Sequence, residues 1–124
     1  MNFEKHSLIL VKDGKIIHSS GKSGLRPLVE CIQKFKGKVD DCVLCDKVVG
    51  LAAARLIVYS HMVSMVITET ASEYAVDLIK KNNMGIKAKN VVENILNKEK
   101  SSVCPMEKKA LETEDNEQFF KNFK

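Results

Sequence analysis

The run Cys45-Asp46-Lys47-Val48-Val49-Gly50-Leu51-Ala52-Ala53-Ala54 constrains the fold of this chain most, because it sets a carboxylate and an ammonium just ahead of three consecutive methyl side chains. A helix with so little bulk can lie close to whatever it packs against. Asp is favoured at a helix N-cap, where unpaired N–H groups and the positive end of the dipole gather. The spacing therefore predicts a helix from Asp46 to about Tyr59, with Asp46 at its mouth and Lys47 beside it. Gly50 then falls inside that helix, where glycine costs about 1 kcal/mol relative to alanine, and is read as permitting close packing or ligand approach. A second unusual helix start, Cys104-Pro105-Met106-Glu107, adds a thiol and another carboxylate.

The size of the chain, 124 residues with 44% apolar, fits one domain with an ordinary core, residues 1–124. Its net charge of +4 arises from twenty basic and sixteen acidic residues. These are dispersed along the chain, and no basic block marks a nucleic-acid footprint. Two Tyr, five Phe and no Trp leave little material for stacking bases. No run approaches the ~20 apolar residues of a membrane span, and Glu4, Lys5 and His6 precede only a short apolar stretch. A cytoplasmic protein is expected, with Cys31, Cys42, Cys45 and Cys104 as reduced thiols.

Ser7 to Val11 and Lys15 to Ser19 flank the turn signal Asp13-Gly14 and predict a β-hairpin. Pro27 opens a helix that buries Leu28, Cys31, Ile32 and Phe35 before Gly37 stops it. Asp40 to Cys45 reads as a brief strand feeding the alanine-rich helix, and Met65 to Thr68 as another strand. Ala71 to Asn83 has the spacing of an amphipathic helix. Ile86 to Ala88 fits a short strand, Val91 to Leu96 a helical turn or two, Asn97 to Ser102 a polar loop, and Cys104 to about Leu111 a helix. From about Glu112 an acidic stretch leads to Phe119, Phe120 and Phe123, which are read as covering the core or a partner subunit in a homodimer. A hairpin followed by alternating helices and strands predicts an α/β sandwich of two or three layers over a mixed sheet. Sites in such sheets form at the carboxyl ends of strands, which directs attention to Asp46, Ala71 and Cys104.

The combination of Asp46-Lys47-Val48-Val49-Gly50 ahead of an Ala-rich helix, Ser72-Glu73 opening the next helix, and Cys104-Pro105-Met106-Glu107 resembles a family of small prokaryotic proteins of unknown function. The resemblance extends over most of the chain, from the hairpin through Pro27 to Cys104. It implies a cytidine-deaminase-like fold, a three-layer α/β/α sandwich with a mixed sheet. Zinc deaminases hold their metal with a His or Cys near a Glu on one helix start and a Pro-Cys-x-x-Cys on the next. Asp46-Lys47 and Ala71-Ser72-Glu73 stand where those signatures are expected, so neither half of the zinc site is present and no cofactor is implied. The resemblance places a site on Asp46, Lys47, Gly50, Ser72, Glu73, Cys104 and Glu107.

Asp46 and Lys47 suit acid–base work or the anchoring of a polar ligand if burial perturbs them; otherwise they are a cap and its solvated neighbour. Cys104 and Glu107 have the spacing of a capping box with a thiol in the Ser/Thr place. The helix dipole favours ionisation of that thiol and Glu107 opposes it. Cys42-Val43-Leu44-Cys45 has C-x-x-C spacing, yet a lone pair with apolar residues between reads more readily as a buried strand than as half a metal site. Lys22 and Arg26 flank Gly24 as anion contacts or as solvated charges. The leading expectation is a small-ligand-binding protein, the ligand nucleoside-like, with Asp46 and Lys47 contacting it, Gly50, Ser72 and Glu73 lining the pocket, and Cys104 and Glu107 closing it. One alternative is an enzyme with Cys104 as nucleophile and Asp46, Lys47 or Glu107 moving protons. Another is a structural or interaction protein in which these residues are caps and packing devices.

Overall fold

The computed structural model describes residues 7–22 and 24–93. The hairpin forms as expected, with β1 spanning Leu8–Lys12 and β2 Lys15–Ser20. Asp13 and Gly14 between them have φ of 52° and 79°. Two positive values in succession suit the twist of a tight hairpin, and Asp-Gly adopts them at little cost. Helix α1, Arg26–Phe35, carries Pro27 in its first turn and buries Leu28, Val29, Cys31 and Ile32. The remaining elements are β3 (Cys42–Val49), α2 (Leu51–Ser60), β4 (Val63–Ser72), α3 (Glu73–Lys81) and β5 (Gly85–Val92).

The five strands form one mixed sheet in the order β2-β1-β3-β4-β5. Strand β1 is antiparallel to both neighbours, whereas β3, β4 and β5 are parallel. Strand β2 therefore points the same way as β3, and the three helices are crossovers that all step in one direction along the sheet. Right-handed crossovers place all three on the same face. The contacts agree: the His18 ring of β2 meets Phe35 of α1 edge-on at 5.8 Å, and Lys36 lies 4.9 Å over the Tyr59 ring of α2. Under the helices, Leu8, Leu10, Leu44 and Val66 of the sheet pack with Leu28, Ile32, Leu56 and Ile79.

Helix α2 is the central one. Ala52, Ala53 and Ala54 are all fully buried although successive helical residues point about 100° apart. The helix is thus enclosed on several sides, by β3 and β4 beneath it and by α1 and α3 beside it. The run of methyl groups is what lets it sit there.

The start of that helix differs from expectation. Strand β3 runs through Asp46 and Lys47 to Val49, and the residue that caps α2 is Gly50. Asp46 is held in the sheet from both sides, in register with Leu8 and with Thr68, and the Lys47 N–H donates to the Ser7 carbonyl at 2.9 Å. Pairing with two strands outweighs a local capping preference. Gly50 consequently bears none of the helix-interior cost, because glycine is accepted at an N-cap. Strand β4 is longer than Met65–Thr68 and absorbs Ala71 and Ser72, so α3 begins at Glu73. Val91 and Val92, expected in a helical turn, instead end β5 beside Ala71 and Ser72.

The stretch from Ile95 through the Asn97–Ser102 loop, the Cys104 helix, the acidic stretch and the phenylalanines lies outside the described residues. The fold is α/β with a mixed sheet and, among the described residues, helices on one face. The described residues do not form the second helical layer that a three-layer sandwich requires. Among them, too, no helix is long and apolar enough to cross a membrane.

Candidate functional site

The carboxyl-terminal halves of β3 and β4 bring a carboxylic acid and a hydroxyl together. Asp46 shares its face of the sheet with Leu44 two residues earlier and with its register partners Leu8 and Thr68, all of them buried under the helices. Its side chain is half-buried there. Burial pushes the Asp46 carboxyl up to about 7, against the backbone N–H groups of Val48 and Lys47, which favour its charged form. The ion pairs between described residues are Lys12–Asp40 at 3.4 Å and Lys22–Glu30 at 3.3 Å, and neither involves Asp46. Asp46 thus exchanges its proton near neutral pH within a largely apolar layer.

Thr68, 3% exposed, is the neighbour that sequence reasoning missed. Its hydroxyl lies 3.1 Å from the carbonyls of both Lys47 and Thr70. With one hydrogen to give, it donates to one of them at a time. Past this point the alternation of the strands breaks: Val49 and Ala71, three residues beyond Asp46 and Thr68, are again in the core. The signal was available as a polar residue two positions after inward-facing Val66. Arg55 was also overlooked, a charge buried in α2.

The expected acid–base pair is separated. Lys47 is exposed, because neighbouring residues of a strand point to opposite faces of a sheet. Gly50 and Ser72 each lie four residues beyond the Asp46–Thr68 pair, about 13 Å along extended strands, and serve as the N-caps of α2 and α3. The Ser72 hydroxyl accepts the Ala75 N–H at 3.1 Å, so its bonding is accounted for by the helix. Glu73 is exposed in the first turn of α3, where its charge complements the dipole. Cys104 and Glu107 lie outside the described residues.

Cys42 and Cys45 do not converge on a metal. Cys42 belongs to the core beneath the helices and Cys45 to the opposite face. Burial pushes both thiols up. It pushes Cys31 of α1 up to about 12, with Cys42 and then Asp46 adding to the effect against Lys34. Such thiols behave as small apolar groups. Among the described residues no three His, Cys, Asp or Glu side chains gather at metal-binding distance. Of the two cations that flank Gly24, Lys22 is engaged with Glu30, and Arg26 is the first residue of α1 rather than part of the loop.

These features define an α/β protein with a mixed five-stranded sheet and a half-buried acid within its central parallel strands. The chain belongs to the family described as a domain of unknown function, DUF1893, whose model, TM1506, matches residues 1–124. It is similar to the crystal structure of a DUF1893 family protein (TM1506) from Thermotoga maritima, with 28% identity and a TM-score of 0.85, over 95% of this chain and 78% of that one. No curated protein matches it.

Proposed function

We propose that this protein is a cytoplasmic small-ligand-binding member of its family, with a cytidine-deaminase-like fold that works without the standard zinc site. The observation that carries the reading is Asp46: a carboxyl group near its protonation midpoint at neutral pH, beside the Thr68 hydroxyl in the carboxyl-terminal halves of two parallel strands. Ligands of α/β sheets are usually received beyond the carboxyl ends of the strands, towards which this pair is displaced. A protonated carboxyl donates one hydrogen bond and accepts another, which matches the paired acceptor and donor on the edge of a nucleobase. When ionised it accepts from two N–H groups instead. A nucleoside-like ligand therefore suits either state of Asp46. Lys47, on the far face, has no part in this version of the site.

A thermal-shift screen of nucleosides, nucleotides and divalent metals on wild type, Asp46→Ala and Asp46→Asn tests the reading. A ligand at a hundredfold excess over Kd adds about 2.7 kcal/mol of stability. The expected result is a nucleoside-class hit on wild type that disappears in Asp46→Ala while the unliganded variant stays folded by circular dichroism. A hit that survives in Asp46→Ala, or the lack of any hit on a folded wild type, contradicts it.

A further inference from the structure

Lys47 divides its two backbone groups between opposite neighbours. Its N–H donates to the carbonyl of Ser7, just ahead of β1, at 2.9 Å, while its own carbonyl lies 3.1 Å from the Thr68 hydroxyl of β4. In a regular strand the N–H and C=O of one residue turn to the same neighbour, so the peptide between Lys47 and Val48 is rotated out of the ladder. The rotation falls where the alternation of β3 breaks, between Asp46 and the core residue Val49. A trans peptide sets its C=O and N–H in opposite directions. With the carbonyl turned to Thr68, the Val48 N–H points away from β4, and the Asp46 carboxyl receives it. One planar unit therefore links the carboxyl of Asp46 to the hydroxyl of Thr68.

We propose that Thr68 is the positioning residue of the Asp46 site, its hydroxyl holding the 47–48 peptide so that the Val48 N–H is aimed at the carboxyl group. The inference rests on the reading of Asp46 as the ligand-binding acid, and it assigns control of that acid to a residue of another strand. Hydrogen bonds in such a chain polarise one another. An ionised Asp46 draws on the Val48 N–H, which makes the Lys47 carbonyl the stronger acceptor, and the Thr68 hydrogen goes there. Once Asp46 takes up a proton that advantage is lost, and the Thr70 carbonyl, also 3.1 Å away, competes for the same hydrogen. The hydroxyl thereby favours the charged form of Asp46 against the burial that opposes it. Burial and the N–H groups of Val48 and Lys47 set the proton affinity of this acid; Cys31 of α1 and Arg55 of α2, buried in the helices, and the ammonium of Lys47, on the far face, do not enter.

The test titrates the Asp46 carboxyl by carbon-detected NMR in full-length wild type, Thr68→Val and Thr68→Ser, each checked for folding by circular dichroism. Valine keeps the branched shape without the hydroxyl, and serine keeps the hydroxyl. The midpoint is expected to rise by about one pH unit in Thr68→Val, the scale of one hydrogen bond to a charged group, and to return to the wild-type value in Thr68→Ser. An unchanged midpoint in folded Thr68→Val, or the same shift in both variants, overturns the proposal and leaves the reading of Asp46 standing. A wild-type midpoint at the ordinary aspartate value overturns both. Wild type alone supplies a second measurement that needs no variant to fold. The carbonyl carbons of Lys47 and Thr70 are expected to titrate at the Asp46 midpoint in opposite senses, as the Thr68 hydrogen moves between them. Two signals that move in the same sense, or a Thr70 signal that stays still, overturn the proposal.

Discussion

Asp46 and Thr68 sit side by side, in register across β3 and β4, on the face of the sheet that the helices cover. One is a carboxyl group held close to its protonation midpoint, and the other is a hydroxyl tied to the carbonyl of Lys47 or Thr70. Polar groups in such a layer cost stability unless they are bonded. Their placement within the central strands is therefore the main departure of this molecule from a purely structural α/β core.

The first consequence concerns pH. The Asp46 carboxyl is raised from 3.8 to about 7 on folding, so between those values the folded chain holds a proton that the unfolded chain has released. Stability then falls as pH rises through this window, by a few kcal/mol at most, since moving a pKa by one pH unit is worth about 1.36 kcal/mol. Below the window both states are protonated and nothing is lost; above it the loss is complete. Asp46→Asn has no charge to bury, so urea midpoints measured from pH 4 to 8 should show a flatter profile and a variant that gains on wild type at pH 8. Parallel profiles for the two proteins would count against a buried, raised carboxyl.

The second separates a cap from a surface charge. Ser72→Ala removes the acceptor of the Ala75 N–H in a fully buried position, and a loss of about 1 kcal/mol is expected. Glu73→Ala, one residue on but exposed, should cost less than ~1 kcal/mol, and that small loss should shrink further in high salt. Denaturant melts of both variants check the contrast. Equal losses would place Glu73 in a bonded role that the structure does not give it.

The third addresses the alanine run. Ala53→Leu inserts three carbons where α2 is enclosed by the sheet and its neighbouring helices, and overpacking of that kind costs about 1–3 kcal/mol. Tyr74→Leu at an exposed position is the matched control and should change little. A neutral Ala53→Leu would mean that α2 has room on that side.

Local chemistry made some of this fold legible and hid the rest. Asp13-Gly14 demanded positive φ at two successive residues, and that alone specifies the hairpin. Pro27 with its buried neighbours specifies α1, and the small residues of α2 announced a helix that is closely surrounded. Asp46 misled because its residue type favours a helix start, while its actual state is set by Leu8 and Thr68, which are distant in sequence and visible only once the strands pair. The same pairing drew Ala71, Ser72, Val91 and Val92 into strands. At the site, adjacency in the chain suggested that Asp46 and Lys47 act together, but strand geometry turns them apart. The hydroxyl that does stand beside the acid, that of Thr68, is supplied by a different strand.

Protonation of Asp46 is the property on which the ligand site depends most directly, and carbon-detected NMR of its side-chain carboxyl reads it across a pH titration. A midpoint near 7, with the Thr68 and Val48 amide signals shifting in step, is the predicted result. A midpoint near the ordinary aspartate value would show a solvated carboxylate, and the proposal of a proton-exchanging ligand site on β3 would be withdrawn.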